Sequence, residues 1–174
     1  MRIFTVIILF LCICLTACKK DAVNTEYDNS FKAWQSFKKS SNNSYYYVTE
    51  FVSWTGFRSE TKITVMNGTV VSREYESRIV EAREDTVIVQ PIEKWREAAD
   101  SIGKHDTGFE PVTLDVVYYK AKNEWLKVDK NKNRIHFENK NNGMISVCGY
   151  SPKNCADDCV RGVYITEIAA STAP

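Results

Sequence analysis

The sequence predicts an α+β domain in two layers, with helices packed on an antiparallel sheet. Three observations predict it. Tyr27, Phe31, Trp34 and Phe37 recur at spacings of four, three and three, the stripe of one helical face. Alternating, β-branched runs flank Asn67-Gly68, a pair that tolerates positive φ at both turn residues and so marks a hairpin. A second apolar face, Leu114, Val117, Tyr118, Ala121 and Trp125, follows Thr113, a residue suited to cap a helix. Helices set apart from hairpin-linked strands pack on one side of an antiparallel sheet.

Taken in order, the first helix is capped by Asn24 or Thr25 and ends in the polar run Ser40 to Ser44. Its aromatic stripe is expected to face the core. Tyr45 to Trp54 is aromatic and β-branched, as a strand should be. Thr61 to Met66 alternates, and Thr69-Val70-Val71 continues beyond the Asn-Gly turn. Val87-Ile88-Val89 reads as a short strand stopped by Pro91. Ile92, Trp95, Ala99 and Ile102 then outline a short helix closed by Gly103, with Glu93, Lys94, Glu97 and Asp100 on its solvated side. Residues 104–111 are a loop, and the helix after Thr113 carries Asp115 in its first turn, where an acid suits the positive end of the dipole. Strands follow at Arg134 to Glu138, Met144 to Tyr150 and Val160 to Ile168, the first two joined by Asn141-Asn142-Gly143. The predicted order is helix, four strands, two helices, three strands, in which a helix-led unit occurs twice and hints at a pseudo-repeat.

The chain begins Met1-Arg2 and is apolar from Ile3 to Leu15 except for Thr5. That run is shorter than the ~20 residues a spanning helix needs, and a positive start, short apolar core and small-residue site make a secretory leader. Leu15-Thr16-Ala17-Cys18 resembles the lipobox of bacterial lipoproteins. The resemblance implies cleavage after residue 17, lipidation of Cys18 and a lasting hold on a membrane, since several acyl chains bury many CH₂ groups. The organisation expected is a leader at 1–17, an anchor and tether at 18–25, one domain at 26–168 and a loose tail at 169–174. Lys19-Lys20-Asp21 follows the anchor. Position 19 lacks the aspartate of inner-membrane retention, so the cell envelope, and its outer membrane where there is one, is the expected address.

Removing residues 1–17 takes away one arginine and no acid, which leaves equal numbers of basic and acidic side chains. A balanced chain lacks the basic footprint of a nucleic-acid binder. At 12% aromatic residues it supplies a packed core without relying on disulfides.

The densest chemistry runs from Cys148 through Asn154, Cys155, Asp157 and Asp158 to Cys159. Read structurally, Gly149 and Pro152 shape a turn, Cys155 and Cys159 close a small disulfide loop, and Cys148 is a buried thiol. A Cys148–Cys159 pair across the strand ends is the other connectivity open. Read functionally, Cys148, Cys155, Asp157, Asp158 and Cys159 could serve a metal or a redox response. Zinc usually takes two close cysteine pairs, and only Cys155-x₃-Cys159 approximates one. Calcium would use Asn154, Asp157 and Asp158, but the regular loop with a central glycine is missing.

No catalytic residues are expected. The sequence holds no Gly-x-Ser-x-Gly elbow, phosphate loop or His-Glu-x-x-His helix. His105 sits beside Asp106 in a loop, and His136 faces opposite to Ile135 and Phe137, toward solvent. The reading is a non-catalytic binding or scaffold module without a cofactor, held to the membrane by Cys18 and meeting an envelope protein. Its partner patch is sought among Tyr45, Tyr47, Phe51, Trp54 and Phe57, because tyrosine and tryptophan concentrate at binding hot spots. The alternative is a metal- or redox-responsive domain built on the Cys148–Cys159 loop.

Several segments together resemble an uncharacterised family of small secreted and lipid-anchored bacterial proteins. They are Tyr45-Tyr46-Tyr47, the hairpin from Ile63 to Val71, Thr113-Leu114-Asp115-Val116-Val117-Tyr118, Ile135-His136-Phe137, Asn142-Gly143-Met144-Ile145, Asp157-Asp158 and Gly162-Val163-Tyr164-Ile165. Members often carry cysteines in the first strand, and this chain has none there. The resemblance implies a fold and no activity.

Overall fold

A computed structural model describes residues 22–171. Cys18 and the leader lie outside the described residues. Helix α1 (Ala22–Ser40) leads into β1 (Tyr45–Val52), β2 (Phe57–Met66), β3 (Thr69–Arg83) and β4 (Thr86–Ala98). A 3₁₀ turn (Ala99–Ser101) and a loop reach α2 (Leu114–Asn123), followed by β5 (Asn133–Glu138), β6 (Val147–Pro152) and β7 (Arg161–Ala170). The strands form one seven-stranded sheet in the order β4-β3-β2-β1-β7-β6-β5, every pairing antiparallel. The chain is therefore α+β and richer in strand than helix. No helix among the described residues is long and apolar enough to cross a membrane.

The aromatic stripe enters the core as expected. Trp34 is fully buried, its ring 5.1 Å from Tyr45 on the sheet and 6.1 Å from Tyr118 on α2. Tyrosines fill this core because each hydroxyl has a partner. Tyr45 Oη accepts the Leu114 N–H (2.9 Å), and Tyr47 Oη donates to the Val112 carbonyl (2.6 Å), so β1 holds the start of α2. Tyr118 Oη meets Ser30 Oγ, donates to the Ser30 carbonyl and accepts the Ile145 N–H. Asp115 receives Trp34 Nε1 at 3.1 Å and Lys38 Nζ at 2.6 Å. The turns follow the sequence: Asn67-Gly68 and Asn142-Gly143 have positive φ at both residues.

Several expectations are corrected. Residues 92–102 are not a helix: Ile92 and Trp95 lie in β4, whose register against β3 shifts between Ser77 and Arg78, with Ile92 as the extra residue beside Pro91. An edge strand tolerates proline at such a bulge. The order thus has one middle helix where two were expected. Glu97, read as solvated, is fully buried. Helix α1 begins no later than Ala22, so Asn24 and Thr25 lie inside it and not at its cap, and it takes in residues 22–25 of the expected tether. Gly149 lies within β6 and not in a turn, and β7 runs to Ala170, into the expected tail. Thr113 does stand at the cap position of α2, but its carbonyl, not its side chain, takes the N–H groups of Val116 and Val117.

Candidate functional site

The sheet is divided along β7. Residues 165–170 pair with β1, whereas Arg161 to Tyr164 pair with β6. Two features draw the strand across. Thr166 is the extra residue of a bulge opposite Val48 and Thr49. Gly149 and Gly162 lie directly opposite each other, and a Cβ on either would collide with the facing backbone. Beyond Thr49, β1 therefore keeps only β2 as a neighbour.

A cleft of about 630 Å³ opens in the division. Thr49 to Val52 of β1 form one wall, and Val160 with Gly162 to Tyr164 form the other. Successive strand residues point to opposite faces, and both sets line the cleft together with Ser59 and Thr61 of β2, so it runs between the strand edges and over the face of β1 and β2. Its only charged lining residues among those described are acids, Glu50 and Asp158. Glu50 lies 3.6 Å from Arg58, and Asp158 accepts the Ser53 hydroxyl at 2.6 Å.

Phe109 and Gly108 close the cleft on a third side, held there by a buried ion pair. Arg73 and Glu97, 3% and 0% exposed, meet through two hydrogen bonds of 2.9 and 3.0 Å. Glu97 also accepts the Gly103 and His105 N–H groups and faces His105 Nδ1 at 2.9 Å. Arg73 donates to the His105 and Phe109 carbonyls, and the Phe109 N–H reaches Thr61 Oγ1. Trp95 stacks on His105 at 4.2 Å and lies 4.6 Å from the Arg73 guanidinium. Burial alone would raise the Glu97 pKa, but the backbone donors, Arg73 and His105 outweigh it and bring it from 4.5 down to about 2. The cluster pins residues 102–112 onto β3 and β4.

The sequence-selected residues divide accordingly. Tyr45 and Tyr47 are fully buried and cannot belong to a partner patch; they are core. Phe51 and Trp54 are exposed, Trp54 at 76%, and Phe57 is half-buried, its ring 6.2 Å from Phe51. Only Phe51 of these five lines the cleft. Cys155 and Cys159 form the disulfide, Cα atoms 6.2 Å apart, and Cys148 is a buried free thiol pushed by burial to about 12. The Cys148–Cys159 pairing is thereby set aside. With two thiols bonded to each other, the proposed ligand set loses two of its three sulfur donors and the third, Cys148, is buried, and no group of three His, Cys, Asp or Glu able to hold a metal occurs among the described residues. Asp158 has a different role, tying the disulfide loop to the β1–β2 turn through Ser53. His136 is half-buried and meets Ser151 Oγ at 2.9 Å.

Sequence reasoning missed Val160, Gly162 and Tyr164 as a wall of the site. The paired glycines, thirteen positions apart, were the available signal. No family model, curated protein or solved structure matches the chain.

Proposed function

We propose that the protein is a non-catalytic binding module of the cell envelope, anchored through Cys18, and that it receives an envelope partner in the cleft between β1 and β7. The observation that carries this reading is the cleft itself, about 630 Å³ with exposed Phe51, Val52, Val160 and Tyr164 around it. Apolar surface gathered in a concave site, with a few polar groups converging on it, is where ligands bind. The two helices are read as one layer over the sheet, leaving the cleft open beyond their reach. The leader and Leu15-Thr16-Ala17-Cys18 support the anchored address.

The test places a photo-crosslinking amino acid at Phe51 in the full chain in cells, with Val87, exposed on β4, as control. The expected result is a discrete adduct from position 51 that position 87 does not give. Equal labelling from both, or none, would defeat the binding reading. Cys18→Ala should move the chain from the membrane to the soluble fraction; an unchanged distribution would remove the anchor.

A redox reading keeps one supporting observation. The exposed Cys155–Cys159 loop carries Asp158, which holds Ser53 beside the cleft. Reduction that alters partner capture at position 51 would favour it.

A further inference from the structure

The direction of the backbone groups along the cleft says what it would take. Ser53 gives its N–H to Phe57 on β2. Along a strand, successive residues turn their N–H and C=O to alternate sides, so Glu50 and Val52 turn theirs away from β2 and into the cleft. Ile165 gives its N–H to Ser146, on the β6 side. By the same alternation, Gly162 and Tyr164 turn theirs toward β1. Each edge thus presents donors and acceptors to a gap in which no strand of the described chain lies, closed at its inner end by the Thr49–Ile165 pairing and bridged at its outer end by the Ser53–Asp158 hydrogen bond, which an entering segment displaces. Thr49 to Val52 offer an edge of roughly 13 Å at 3.3 Å per residue.

Resting on the binding reading above, we infer that the cleft is a strand-insertion site, in which an extended segment of a partner protein enters between β1 and β7 and completes the sheet. The segment forms main-chain hydrogen bonds to both edges, the recognition mode of β-augmentation. Its side chains on one face meet Phe51, Phe109 and Val163, so alternate residues are apolar. The charged lining residues are Glu50 and Asp158, so lysine or arginine flanks the apolar positions. Arg58, 3.6 Å from Glu50, offsets part of that charge and leaves the main chain as the principal contact.

The probe is the capped heptapeptide Lys-Val-Thr-Val-Thr-Val-Lys, with a twin N-methylated at its three central amides, added to the full-length protein. The heptapeptide should bind, slow hydrogen exchange at the Glu50, Val52, Gly162 and Tyr164 amides, and bind at least tenfold more tightly than the twin. Glu50→Gln should weaken it several-fold without moving the thermal midpoint. A twin that binds equally well, bound peptide that leaves the four amides unprotected, or no binding at millimolar peptide would each overturn the proposal. Decanoate filling the cleft with those amides unprotected would replace the strand by a small apolar ligand. Protection that grows with protein concentration alone would replace it by a second copy of this chain. Failure here together with a specific adduct from position 51 leaves the binding module standing and removes only strand insertion. Absence of that adduct removes the module.

Discussion

Gly149 on β6 and Gly162 on β7 face each other so closely that neither strand has room for a side chain there. Gly162 also holds φ +151°, a conformation that disfavours any residue with a Cβ. Gly149→Val and Gly162→Val should each destabilise the fold by about 1–3 kcal/mol or more, through a clash with backbone that has little freedom to yield. Urea denaturation checks this: the midpoint should fall with the slope unchanged. A null result would mean that β7 approaches β6 differently.

The Arg73–Glu97 pair predicts an acid-sensitive stability. The Glu97 pKa is depressed in the folded state, so its contribution is complete above the ordinary value of 4.5 and lost as pH falls toward about 2. Glu97→Gln leaves Arg73 buried and uncompensated, at a cost on the order of 3 kcal/mol at pH 7. Denaturation series for both proteins should run parallel above pH 5 and converge below pH 4.

Tyr118→Phe removes one oxygen and leaves the Ile145 N–H and the Ser30 carbonyl without that partner in the core. The expected loss is about 1–3 kcal/mol, the price of buried groups left unsatisfied. Tyr119→Phe, on the exposed side of the same helix, should cost almost nothing.

Thiol labelling separates the three cysteines beyond Cys18. Cys148, buried and raised to about 12, should resist iodoacetamide at pH 8 in the native protein and react on unfolding. Cys155 and Cys159 should react only after reduction. Intact-mass analysis would reject the assignment if Cys148 were labelled without denaturant.

The residues that announced their structure were those whose side chains and local geometry agree. Trp34 and Phe37 mark a helix face, and Asn67-Gly68 marks a hairpin, because apolar spacing and turn chemistry are local properties. The strand β4 was hidden for a physical reason. Its buried partnership with β3 runs through Arg73, Tyr75 and Ser77 on one side and Glu97 on the other, so the inward positions do not read as apolar. Pro91 looked like a stop and is accommodated at a bulge. The cleft was less legible still. It depends on β7 changing neighbours between Tyr164 and Ile165, a relation between strands more than a hundred residues apart in sequence, which no local pattern encodes.

That change of neighbours also bears on how the protein is made. Because β7 lies between β1 and β6, the last strand is the one that unites the two groups of strands. A growing chain has β1 to β4, and later β5 and β6, long before it has the residues that connect them. Closure waits for synthesis of residues 161–170, and pairings so distant in sequence form slowly. Until then the sheet stays open, and ending the chain before Arg161 should leave two strand groups with no backbone pairing between them, joined only through the helices and their shared core.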